Sequence, residues 1–153
     1  MQERKGRQKR YHIPNDEEVT AAIIEVMIEK GTVHSQKRLR DLVSDVLRET
    51  DASYHVSERR VRHLAIASRM IHVEAHCYES VEEMSQSTCP VCSSKLTSLR
   101  NKTIFGGTVV LARECPVCGY WSGRHARVPV RYVFTLSRDA KRRLSTASKK
   151  GIL

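Results

Sequence analysis

Nothing in this 153-residue sequence is suited to crossing a bilayer: no apolar run approaches the roughly 20 residues that a membrane-spanning helix needs. The first fourteen residues, MQERKGRQKRYHIP, are basic and lack the apolar stretch of a secretory signal, so a cytoplasmic protein is expected. Aromatic residues are scarce, at 5%, and a folded core must therefore be mostly aliphatic. The glycine pair Gly106-Gly107 is followed by neither lysine nor a helical pattern, so it is no phosphate cradle. No nucleophile–base arrangement is evident either. The chain is expected not to be an enzyme, with no catalytic residues.

Acidic charge is also in deficit. The formal net charge is +10, which points to a polyanionic partner, nucleic acid being the commonest. Its distribution is uneven. Residues 1–14 hold five Lys/Arg against one Glu, and residues 137–153 hold six against one Asp. Between them, 15–80 hold nine basic residues against twelve acidic, and 81–136 hold seven against three. The basic ends are expected to behave as an N-terminal tail, 1–14, and a C-terminal tail or helix, 137–153.

What is present reads as two modules. Asn15 can cap a helix with Glu18 in the capping-box position, and Val19, Ala22, Ile23, Val26 and Met27 follow at helical spacing up to Gly31. A second helix starts at Ser35 and a third at Ser57, with a very short strand at Thr32-Val33-His34. Ile71, Val73, Ala75 and Cys77 then alternate with polar neighbours, the pattern of a half-buried strand. Helix, strand, helix, helix, strand is the order of a winged helix-turn-helix, expected over 15–80. Residues 69–79 offer one strand and no return, so a wing is expected to be short or absent. Ser80-Val81-Glu82-Glu83 matches a capping box, predicting a helical turn at the junction. Cys77, on the apolar face of the strand, is expected in the core.

The cysteines carry the most specific signal. Cys89-Pro90-Val91-Cys92 and Cys115-Pro116-Val117-Cys118 are two copies of one motif, 22 residues apart. Cysteines three positions apart can bite one ion from a tight turn, and two such turns make a tetrahedral four-thiolate site, the preferred home of structural zinc. Small residues at Ser93 and Gly119 let amides turn toward the sulfurs. A redox dithiol would want a thioredoxin-like βαβ pattern, and disulfides are disfavoured without export. Thr103–Phe105 and Thr108–Ala112 flank the two glycines as a hairpin, and Val128, Val130, Tyr132, Phe134 and Leu136 define a long strand, with Pro129 placing it at an edge. An all-β zinc ribbon is expected over 81–136, holding one Zn2+ with Cys89, Cys92, Cys115 and Cys118. His125 is not assigned as a ligand.

On the third helix Val61, Leu64 and Ala65 cluster on one side, while Arg59, His63 and Ile66 lie opposite, flanked by Arg62 and by Arg60 with Ala67. Arginine can fork onto guanine or clamp a phosphate, and the helix start at Ser57 offers free amides. Arg59 and His63 are expected toward base edges. Arg60, Arg62, Lys37 and Arg38 are expected toward phosphates, with Gln36 beside them at the start of the second helix.

Together, GTVHSQKRLRDLV, VSERRVRHLA and the two CPVC knuckles resemble small archaeal proteins that join a winged helix-turn-helix to a zinc ribbon. The resemblance implies an α+β fold and transcription regulation by double-stranded DNA binding, with Arg59, Arg60, Arg62 and His63 as the matching positions. The architecture is also similar to the large subunit of the archaeal general transcription factor related to eukaryotic factor IIE, which works on RNA polymerase. Docking on RNA polymerase or another transcription protein, and binding to RNA or the ribosome, are the alternative functions. Operator-binding winged helices are often dimers, so a homodimer is a further expectation.

Overall fold

Residues 10–149 are described by the computed structural model. Among them the fold is α+β, with four helices and two three-stranded antiparallel sheets. Each of the first three helices begins where a side chain takes up a free amide. Ahead of α1 (Asp16–Lys30), Asn15 Oδ1 accepts from the Glu18 amide at 2.8 Å, and Glu18 Oε2 accepts from the Asn15 amide at 2.9 Å. Gly31, at φ 71°, ends that helix. Ser35 caps α2 (Gln36–Thr50) and Ser57 caps α3 (Glu58–Ala67), each hydroxyl accepting from the amide three residues on at 3.2 Å. Their apolar stripes meet, burying Val19, Ile23, Met27, Leu39, Val43 and Val61.

The strand after α3 finds its partner beyond the cysteines. β1 (Thr32–Val33), β2 (Ile71–Glu83) and β6 (His125–Leu136) form one sheet in the order β1-β6-β2. Phe134 sits at its centre, opposite Val33 on one side and Val73 on the other, and is fully buried. This pairing corrects the assignment of the long strand to a separate ribbon and supplies the return that residues 69–79 lacked. Burial decides it. Phe134 and Leu136 cover the helical core, whereas Leu99, Val109, Val110 and Leu111 in the hairpin between the cysteine pairs stay exposed. β2 also runs unbroken through the expected junction, so residues 80–83 are strand and not a capped helical turn.

Pro129 lies in what is the middle strand, yet the ladder accommodates it. β1 pairs only with Phe134 and Thr135, leaving the other side of β6 open at Pro129, and a register shift falls between His76 and Cys77, opposite it. Cys77 is half-buried against the core, where burial raises its thiol above the ordinary value.

The second sheet, β3-β4-β5, consists of β3 (Thr97–Lys102), β4 (Thr108–Glu114) and β5 (Trp121–Ser122). Ile104 and Phe105, expected at the end of a strand, instead lie within the turn. Residues 12–14 are more engaged than a tail would be, and 138–149 form the helix that is one of the two expectations there. The His12 amide donates to Ser53 O at 3.1 Å, the His55 amide donates to His12 O at 3.0 Å, and Pro14 is fully buried. Residues 1–9 and 150–153 of the expected tails lie outside the described residues. α4 (Arg138–Lys149) follows β6 directly, with Ala140 buried and Leu144 packed on the core.

Because β6 closes the sheet over the helices, the first 83 residues lack part of their own core. A chain ending at Glu83 is expected to melt without a cooperative transition by circular dichroism, whereas a chain ending at Lys149 melts cooperatively. Cooperative melting of the shorter chain would show that the helical part stands alone.

Candidate metal centre and the helix packed against it

The two cysteine motifs fold as near-identical knuckles. In the first, the Cys89 amide donates to Ser94 O at 2.7 Å and the Ser93 amide to Cys89 O at 2.9 Å. In the second, the Cys115 amide donates to Tyr120 O at 2.7 Å and the Gly119 amide to Cys115 O at 3.2 Å. The residue after each second cysteine turns left-handed, Ser93 at φ 64° and Gly119 at φ 79°, which is why small residues stand there. The Val91 amide points at Cys89 Sγ from 3.4 Å.

Facing each other, the knuckles bring four sulfurs to within 4.8 Å of one another. Cys89 and Cys118 Sγ are 3.5 Å apart, and Cys92 and Cys115 Sγ are 3.4 Å apart, too far for a disulfide. A tetrahedral ion with metal–sulfur bonds of about 2.3 Å spaces its sulfurs by about 3.8 Å, so this donor set fits one. The hydrogen bond from Cys118 draws the Cys89 thiol down to about 5 against the opposing effect of burial, with the Cys92 and Val91 amides adding to it, while Cys118 is pushed up correspondingly. A cluster that already concentrates negative charge on one sulfur is suited to binding a cation.

The first knuckle packs on α3, and this corrects two of the expected nucleic-acid contacts. Arg62 is only 9% exposed. Its Nε donates to Val91 O at 2.8 Å, its Nη1 donates to Gln36 Oε1, and its guanidinium lies 4.6 Å from the centre of the Tyr132 ring. Gln36 in turn donates to Glu58 Oε2 at 2.9 Å. Arg62 and Gln36 are thus committed inside the protein and are not free for phosphates. Ile66, expected to face outward, is buried beside them. The physical reason is that the knuckle supplies α3 with a second surface to cover, so the buried arc runs Val61, Ala65, Arg62, Ile66. Reading Ile66 as core would have placed Arg62 inside it.

The remaining candidates stay accessible to different degrees. Lys37, Arg38, Ser57 and Arg59 are exposed; Arg60 and His63 are partly so, but Arg60 Nη1 and His63 Nε2 are buried without a partner among the described residues. Ser57 Oγ is occupied by its own helix. Arg59 Nη2 reaches Ser93 Oγ at 3.4 Å, and Arg60 pairs with Asp16 at 2.6 Å. Burial, reinforced by the charges of Arg62 and Arg59, lowers the pKa of His63 and favours its neutral form. The second knuckle is tied to the sheet through Tyr120, buried after Gly119, whose hydroxyl donates to Arg127 O at 2.5 Å. Neither tyrosine contact had a sequence signal beyond an apolar ring, on a strand face for Tyr132 and at a polar turn for Tyr120. His125 is 3.4 Å from Glu79 and outside the cysteine cluster.

Comparison of the chain with protein-family models, curated proteins and solved structures finds no match.

Two expectations follow. The purified chain binds one equivalent of divalent metal, and Cys92→Ser or Cys115→Ser abolishes stoichiometric binding in a chromophoric chelator assay; retention of the full equivalent by either variant would reject the four-thiolate site. Arg62→Ala leaves Val91 O and Gln36 Oε1 without their donor and opens a void, costing on the order of 3 kcal/mol in denaturant unfolding of the metal-loaded chain. A cost below about 1 kcal/mol would mean the guanidinium contacts contribute little.

Proposed function

We propose that this chain is a DNA-binding protein, a transcription regulator, that lays the outward face of α3 in a major groove and stiffens its cysteine knuckles with one structural zinc ion. The observation that carries the reading is the junction of two helix starts. The hydrogen bond between Gln36 and Glu58 holds the N-termini of α2 and α3 side by side, and Lys37, Arg38 and Arg59 stand exposed around them. Paired helix N-termini ringed by cations attract phosphate.

The order of elements and the sheet order β1-β6-β2 support a winged helix, with the β2–β6 hairpin as its wing and the knuckles inserted beyond it. In that frame Arg59 faces base edges, a neutral His63 does so once its buried Nε2 turns outward, and Arg60, Lys37 and Arg38 face phosphates. The long bond from Arg59 to Ser93 is weak enough to exchange for a base. Four thiolates leave no open coordination position, which suits structural zinc and not catalysis.

Fragments selected from random duplex DNA provide the test, followed by gel shifts at fixed salt. Arg59→Ala and His63→Ala should each reduce the preference for the selected sequence over bulk DNA by about tenfold. Lys37→Ala should weaken both equally and flatten the salt dependence. The reading fails if no sequence is enriched, or if transfer RNA competes better than the selected duplex.

A further inference from the structure

The β3–β4 hairpin ends in a turn that is built, not slack, and it holds two bulky apolar side chains in water. The Thr103 amide donates to Gly107 O at 2.7 Å, Thr103 Oγ1 accepts from the Gly107 amide at 3.0 Å, and the Gly106 amide donates to Thr103 O at 3.1 Å. Gly106 takes φ 83°, which a side chain would resist. Such turns ordinarily carry Gly, Asn, Asp, Ser or Pro in the middle. Here Ile104 and Phe105 occupy it, 95% and 93% exposed. The six-residue arm beneath them is about 20 Å long at ~3.3 Å per residue.

Charge tells what the tip meets. Residues 97–114 hold Arg100, Lys102 and Arg113 against one acid, Glu114, at the base of the hairpin. Arg100 pairs across the hairpin with Val110 and Lys102 with Thr108, which sets both cations on one face of the arm, below the tip. Both are exposed, and neither meets a carboxylate among the described residues. Cations on an edge strand also guard against edge-to-edge pairing, and that role accounts for Arg100 and Lys102. It does not account for an isoleucine and a phenylalanine at the tip. A second copy meeting it hairpin to hairpin would bring like charges together, so that pairing is a poor occupant.

We infer that this hairpin is a second DNA contact, a wedge whose Arg100 and Lys102 hold backbone phosphates while Ile104 and Phe105 press between the bases of a flexible step. Apolar side chains on a cationic ribbon unstack duplex DNA in this way, most readily at pyrimidine–purine steps. For the partner being DNA the inference rests on the function proposed above; the positive balance of the hairpin independently favours a polyanion.

The test titrates the metal-loaded full chain into a duplex with 2-aminopurine at a central TA step and a dye at each end. Wild type should raise the 2-aminopurine emission and shorten the end-to-end distance. Ile104→Ser/Phe105→Ser, which alters only exposed side chains, should lose both signals and bind about tenfold more weakly, with metal content and melting unchanged. Arg100→Ala/Lys102→Ala should weaken binding and lower its salt dependence. If the tip variant keeps the affinity and both signals, the wedge is wrong, and the hairpin is left to a protein partner. Arg59→Ala/His63→Ala separates the two ideas. Loss of sequence preference there, beside an unaffected tip variant, overturns the wedge and leaves the helix reading standing. The opposite pattern overturns the helix reading alone, and a wild-type chain that binds no duplex overturns both.

Discussion

Arg62 holds a charge out of water at the point where three parts of the chain meet. Its guanidinium is shared between the carbonyl of Val91 in the first knuckle, the side chain of Gln36 at the start of α2, and the ring of Tyr132 on β6. Among the described residues no carboxylate touches it directly; Glu58 is reached through Gln36. A buried cation satisfied by neutral acceptors is costly to assemble and more costly to strip of any one of them. The arrangement therefore penalises any displacement of the knuckle, the helix start or the strand relative to the others. It fixes the rotation of α3 about its axis, and with it the face on which Arg59 and His63 remain.

This coupling changes how the cysteines matter. Residues 84–124 leave the end of β2 and return at the start of β6, since Glu83 and His125 pair. Closing a longer loop adds only about 0.6 kcal/mol for each doubling of its length, so the insertion itself is inexpensive. What it lacks is a core. Apart from the cysteines, its buried apolar residues are Val91, Leu96 and Tyr120. A four-thiolate ion would cross-link its two knuckles, and those knuckles touch the rest of the protein through Val91 and Tyr120. An ion there would pass its order to α3 and β6 through these hydrogen-bonded contacts.

The features legible in the sequence were the local ones. Asn15, Ser35 and Ser57 announce helix starts because a cap acts within three residues, and the paired CPVC motifs announce a chelate because each bite spans three positions. Partners far apart were not legible. Alternation identifies β2 and β6 as half-buried strands but says nothing of which strand each will meet, and nearness in sequence points β6 to the wrong neighbours. Arg62 escapes the sequence pattern for the same reason. Periodicity places it at the margin of the apolar stripe, and what draws it inward is a set of acceptors at positions 36, 91 and 132, each supplied by a different element.

The two phenylalanines show how unevenly a small stock of aromatic surface is spent. Phe134 is completely buried at the centre of the sheet, where its loss would be felt on both sides. Phe105 is held in water at a tip that nothing in the fold covers. With only two phenylalanines and one tryptophan available, a fold selected for its core alone would have no reason to leave one there. Solubility gives no reason either, since exposed apolar tips invite association. The turn that presents it is hydrogen-bonded and uses a left-handed glycine, so its shape is maintained. An apolar group kept rigid and exposed above Arg100 and Lys102 is better matched to a stacked, anionic surface than to the protein's own interior.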